Sequence, residues 1–141
     1  MLPVQTRRML PATVDPWVIP AALFARLNYT PHDLQAEVHA SSAPRRVLAC
    51  GVRWGKTTCA AFEAIQAALV GSDVLHPRRG WVVAPTLGLA DKVFREVVLL
   101  MHERFPSDVV VKSSEHERVI IVRNIGGGIT EISGKTAENP V

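Results

Sequence analysis

The chain has 141 residues, 48% of them apolar, enough for one domain that buries roughly two thirds of its surface. Its 16 basic and 13 acidic residues leave a formal charge of +3, which is compatible with a nucleic-acid partner without demanding one. The apolar runs fall far short of the ~18 residues that span a membrane, and Met1 to Pro11 lacks the apolar stretch of a signal peptide.

Two cysteines without CxxC spacing and five scattered histidines argue against a disulfide scaffold and against a metal centre built from side chains, so an intracellular, soluble protein is expected. Residues 1–12 read as an irregular arm, and residues 13–141 as the domain. Asp15-Pro16 starts a short helix running toward Asn28, with Pro20 as an interruption. Thr30 as N-cap and Pro31 as first helical residue open a second helix, Pro31–Ala40. Val47–Cys50 is a continuous apolar run, the form expected of a core strand covered on both faces. The helix over 55–70 that follows is rich in Ala and Leu, free of proline and closed by Gly71. Gly80–Pro85 reads as a second buried strand. Leu87–Arg104 is an amphipathic helix with Ala90, Val93, Phe94, Val97 and Met101 on one stripe. Val109–Val111, Val119–Val122 and Ile129–Ile132 are short strands, the last two joined across Gly126-Gly127-Gly128. Strand, helix, strand, helix in this order predicts an α/β fold, a three-layer sandwich around a mostly parallel sheet. The arginine pairs at 7–8, 45–46 and 78–79 read as solvated element ends.

The segment with chemistry in it is Arg46-Val-Leu-Ala-Cys-Gly-Val-Arg-Trp-Gly-Lys-Thr-Thr58. A β-branched run feeds a glycine turn and then Gly-Lys-Thr at a helix start, the form of a phosphate-binding loop whose inward N–H groups and helix dipole attract anions. Lys56 would reach the β and γ phosphates and the Thr57 hydroxyl would bind Mg2+. The usual first glycine falls at Cys50, with Gly51 displaced by one. A second triplet, Gly134-Lys135-Thr136, has no upstream glycine and no convincing helix after it, and reads as an ordinary loop.

Taken with Tyr29-Thr-Pro-His-Asp-Leu-Gln35, Trp81-Val-Val-Ala-Pro-Thr86 and Ser133-Gly-Lys-Thr-Ala137, in this order and spacing, the loop resembles the start of the ATPase domain of tailed-phage large terminase subunits, the DNA-packaging motors. The resemblance covers about residues 20 to 141. It implies a P-loop NTPase fold that binds ATP and Mg2+, with adenine read by Gln35. It further implies nucleotide contacts from Gly51, Arg53, Trp54, Gly55, Lys56, Thr57 and Thr58, with Lys56 and Arg53 as the catalytic groups. The partners it implies are double-stranded DNA, the portal and the small terminase subunit, in a ring homo-oligomer within the bacterial host cytoplasm.

Two departures stand out. Many members carry an arginine directly after the loop glycine, where this chain has Val52, with Arg53 one step later; a one-residue shift in a tight turn redirects a side chain. The apolar strand ending in Asp-Glu that this class uses to hold hydrated Mg2+ and polarise water is also missing, since Val119–Val122 ends in Arg123-Asn124. The chain therefore reads as the N-terminal portion of such a domain, able to bind Mg-ATP without efficient turnover. A helicase fragment, or a truncated non-catalytic module that binds DNA or a partner, is the alternative.

Overall fold

A computed structural model describes residues 20–69 and 75–137. The first helix, α1 (Pro20–Arg26), begins at Pro20 itself. Proline is favoured at the first helical position, where its missing N–H has no intrahelical partner to lose, so Pro20 opens the helix where an interruption was expected. The irregular arm and the Asp15-Pro16 start signal lie outside the described residues. Helix α2 (Asp33–Ala40) also begins later than expected. His32, and not Thr30, is its N-cap: the His32 ring accepts from the Gln35 N–H, and the Gln35 side chain accepts from the His32 N–H, a reciprocal capping box.

Helix α3 (Lys56–Leu69) leaves the glycine turn as expected, and strand β1 (Arg78–Ala84) follows. Gly71, assigned as the cap of α3, lies outside the described residues. Helix α4 (Leu87–Arg104) buries Ala90, Phe94, Val97 and Met101 on the stripe read from the sequence, with Val93 half-buried and Thr86 as its N-cap. Strands β2 (Val110–Ser114), β3 (Val119–Arg123) and β4 (Ile129–Thr136) complete one sheet in the order β1-β4-β3-β2. The β1–β4 ladder is parallel, while β3–β4 and β2–β3 are antiparallel, so the described sheet is mixed where a mostly parallel one was expected. The β2–β3–β4 meander accounts for this, because links this short can only return the chain antiparallel.

Both α3 and α4 pack against the sheet and each other, with Ile65, Phe94 and Val97 fully buried between them and Ile120, Val122 and Ile132 of the strands. Leu23 and Leu27 of α1 extend this core. Along β1 the alternation is plain: Gly80, Val82 and Ala84 are half-covered, while Trp81 and Val83 are 68% and 54% exposed. The described residues thus form two layers, with helices on one sheet face; the second helical layer of a three-layer sandwich is not among them. Gly80–Pro85, expected to be a second buried strand, lies at the edge of the described sheet and is covered on one face.

The largest correction concerns Val47–Cys50. This segment joins no ladder among the described residues, and Val47 is 97% exposed. An apolar run signals an environment that can cover it, but a strand also needs neighbours to pair its N–H and C=O groups, and no described strand lies alongside.

The β3–β4 turn is held by one side chain. Buried Asn124 accepts the Gly126 and Gly128 N–H groups at 3.1 Å each and donates to Thr130 Oγ1 at 3.3 Å, while Gly127 takes a left-handed φ of 84°. Truncating Asn124 strands a buried Gly128 amide and a buried hydroxyl, each a desolvation penalty. Asn124→Ala should lower the unfolding free energy by about 2 kcal/mol, read as a fall in urea midpoint at unchanged slope; a wild-type midpoint would show that the turn holds without it.

Candidate functional site

The loop between the extended segment and α3 is shaped by two left-handed residues, Arg53 (φ 63°) and Gly55 (φ 89°). At Gly55 the conformation requires glycine, and a Cβ there would also lie 2.6 Å from Gln35 Nε2. Arg53 adopts the same region at a cost that non-glycine residues carry, and it stands exposed at the loop tip beside the exposed Val52. The Lys56 ammonium turns back into the loop and donates to the carbonyls of Gly51 (2.6 Å) and Cys50 (3.2 Å). Helix α3 makes its first i to i−4 bond from Cys59 N to Gly55 O (2.9 Å), so the amides of Lys56, Thr57 and Thr58 lie in the open first turn at the positive end of the dipole. Thr57 is exposed there, Thr58 half-buried, and Gly51 has open space where a Cβ would sit.

Helix α2 lies against this loop and grips it by two carbonyls. Gln35 Nε2 donates to Gly55 O at 3.3 Å, and His32 Nε2 bonds Trp54 O at 3.0 Å with its ring edge-on to the indole at 4.9 Å. The structure therefore brings Gln35, Trp54, Gly55, Lys56, Thr57 and Thr58 together around one loop. Gln35 is buried and already engaged at both amide atoms. The second Gly-Lys-Thr triplet, expected in a loop, continues strand β4, paired with Val82, Val83 and Ala84.

No protein-family model matches the chain. The large terminase subunits of Thermus phage G20c and Thermus virus P23-45 are each 32% identical to it over 131 residues, covering 83% of this chain and 26% of theirs. The ATPase domain of the Thermus phage P74-26 large terminase superposes with a TM-score of 0.66 at 28% identity, covering 83% of this chain and 50% of that one. A mutant form of that domain gives 0.63 at 25% identity. The chain is homologous to phage large terminase subunits. The terminase relationship falls within their ATPase domain, so the fold is that of a P-loop NTPase, and the chain spans about a quarter of the length of the curated relatives it matches.

Behind the loop, this terminase homologue has a polar cluster that the sequence reading did not identify. His39 is buried, its Nδ1 2.6 Å from Glu63 Oε1 and its Nε2 3.1 Å from the Tyr29 hydroxyl, with Cys59 Sγ at 3.8 Å. Arg46 bonds the other Glu63 oxygen and donates to Val38 O at 2.6 Å. Tyr29 stacks on Phe62 at 3.7 Å with its ring nearly parallel. The signal was available in the i, i+3, i+7 spacing of His32, Gln35 and His39, which puts all three on one helix face. Three polar residues on a face are ordinarily solvent-facing, and only the Trp54 and Gly55 carbonyls, Tyr29 and Glu63 of α3 engage this one, burying Gln35 and His39.

Burial, with smaller contributions from the Cys59 thiol and the Glu63 carboxylate, pushes Tyr29 up to about 12 from its usual 10.0. Burial likewise raises Cys59, which keeps its thiol protonated and unreactive. For Tyr29 the raised value means that the folded form favours the protonated phenol. Its stabilising contribution is complete below pH 10, declines as the unfolded phenol ionises, and is lost as pH rises through about 12. Tyr29 is the chain's one tyrosine, so a phenolate absorbance titration reads it directly. Its midpoint should lie near 12 and move to near 10 in urea; a native midpoint at 10 would mean the hydroxyl is solvated.

Proposed function

We propose that the Cys50–Thr58 loop binds the triphosphate of Mg-ATP, as the nucleotide-binding part of a terminase-type packaging ATPase. The observation that carries the reading is the lysine: at the mouth of a helix, under a loop turned by Gly55, Lys56 points inward and is held only by loop carbonyls. An incoming γ-phosphate exchanges those two neutral acceptors for a charge-assisted bond. The open first-turn amides of α3 supply donors to the phosphate oxygens, and the dipole end adds its partial charge. Exposed Thr57 is a hard oxygen ligand of the type Mg2+ accepts, so the residues fit the ion. Held there, Mg2+ would offset the negative charge of the triphosphate. Arg53, presented at the loop tip, can approach the γ-phosphate from the solvent side.

Gln35 retains one N–H and one lone pair after its contacts to Gly55 and His32, enough to meet an adenine edge. Of the carboxylates nearest the loop, Glu63 is committed to His39 and Arg46. In this reading a water-activating carboxylate comes from outside the loop assembly, and so does a charge-stabilising arginine if one is required. Double-stranded DNA, portal, small subunit and a ring of copies are the partners of the whole motor. The relatives found by sequence and by fold are named as terminases, which favours this assignment over a helicase fragment.

Lys56→Ala should weaken Mg-ATP binding roughly ten- to a hundredfold, the worth of a charge-assisted contact, and Lys135→Ala should leave it unchanged. Calorimetric titration of both variants decides, and equal losses would remove the loop assignment. Gln35→Ala should weaken ATP more than GTP in competition binding. Equal weakening would reduce Gln35 to a strut for Gly55.

A further inference from the structure

Helix α2 is attached to the rest of the molecule in an unusual way. Its buried residues are Gln35 and His39, both polar; Val38 is half-buried and Leu34 is 54% exposed. Little apolar surface holds it, so its position rests on directional bonds. At its N-terminal end these are His32 to Trp54 O and Gln35 to Gly55 O. Its C-terminal half is held by His39 to Glu63 and Tyr29, and by Arg46 bridging Glu63 and the Val38 carbonyl. Tyr29, raised by burial, remains an O–H donor throughout the neutral range, and Nδ1–H donating to Glu63 leaves Nε2 to accept it, so the relay is complete with a neutral imidazole.

We propose that His39, clamped between Tyr29 and Glu63, is a positioning residue for nucleotide binding, acting through α2 to hold the Trp54 and Gly55 carbonyls and so the shape of the phosphate loop. The chain of causes is short. The clamp fixes the roll of α2 on α3; that roll aims His32 and Gln35; those two side chains anchor the loop residues flanking its sharpest turn. With the clamp weakened, the loop samples other shapes before binding, and affinity falls by the fraction of time it is wrongly arranged. The nucleotide arm of the test rests on the loop assignment above; the first arm does not.

Two conservative variants keep the packing. Tyr29→Phe retains the stack on Phe62 and removes the hydroxyl, and Glu63→Gln retains the shape and removes the charge. In a Trp17→Phe, Trp81→Phe background Trp54 is the remaining tryptophan, and its emission reports on the His32 edge contact without any nucleotide. Both variants should shift that emission in the direction that Gln35→Ala shifts it. Both should weaken Mg-ATP and Mg-GTP by roughly three- to tenfold, the worth of one net hydrogen bond. Tyr29→Phe added to the pair His32→Ala, Gln35→Ala should bind no more weakly than that pair alone, because the clamp acts through both side chains. Unchanged Trp54 emission with a lowered melting temperature would overturn the proposal and leave a merely structural cluster, as would a further loss on adding Tyr29→Phe to that pair. If Lys56→Ala binds as wild type does, the loop assignment fails, and the Trp54 arm still decides the clamp.

Discussion

The Gly55 carbonyl is the point on which the site turns. It accepts the first helical N–H of α3, from Cys59, and also the Gln35 amide from α2, so one oxygen starts one helix and anchors another. Its second lone pair makes this double acceptance possible. The residue favours glycine because φ is 89°, and a Cβ there would also push aside the Gln35 amide that the carbonyl holds. Loop, helix start and flanking helix are therefore not three features placed near each other but one arrangement with a shared atom. Lys56 is next in the chain, and its ammonium is directed into the loop by the carbonyls of Cys50 and Gly51.

The two sides of the molecule are held by different forces. Helix α4 is fixed by burial: Phe94, Val97 and Met101 lose nearly all exposure, and each such side chain contributes about 1.5–3 kcal/mol of transfer free energy without demanding one orientation. Helix α2 is fixed by geometry, through bonds that weaken steeply when misaligned. Burial tolerates small shifts; a bonded relay through Tyr29, His39, Glu63 and Arg46 does not. The stringent attachment therefore lies beside the loop, at the Trp54 and Gly55 carbonyls, and the tolerant one beneath the sheet.

How much of this was legible in the residues depended on which force was acting. Helix α4 could be read because its stripe repeats at helical spacing and burial follows the stripe. The Gly-Lys-Thr turn before α3 could be read because glycine and lysine at a helix start leave few alternatives, and Gln35, Trp54 and Lys56 meet around it, with Lys56 turned inward. Val47–Cys50 was misread because its apolar character says nothing about who pairs with it. The capping role of His32 was missed because Thr30 and Pro31 form a stronger start signal by propensity, and only the return bond from Gln35 tips the balance toward His32. The His39 cluster was invisible for a related reason: a polar face declares itself buried only through partners 10 to 24 residues away, at Tyr29 and Glu63.

The duplicate triplet shows what such a motif means physically. Gly134-Lys135-Thr136 has the same three side chains as Gly55-Lys56-Thr57, yet it lies in β4 beside Val82, Val83 and Ala84, with the Gly134 N–H given to Arg118 O at 2.9 Å. A Cβ at Gly134 would lie 3.3 Å from that of Arg118, whose guanidinium pairs with Asp91, so any side chain there would require a small shift of its neighbour. Its amides belong to a sheet, and a strand offers no converging set of donors to an anion. In the first triplet the left-handed glycine turns the chain so that the following amides open together at a helix mouth. The lysine contributes charge in both places, but only one backbone leaves its N–H groups unspent, and it is that surplus of donors, not the identity of three residues, that the proposed phosphate contact needs.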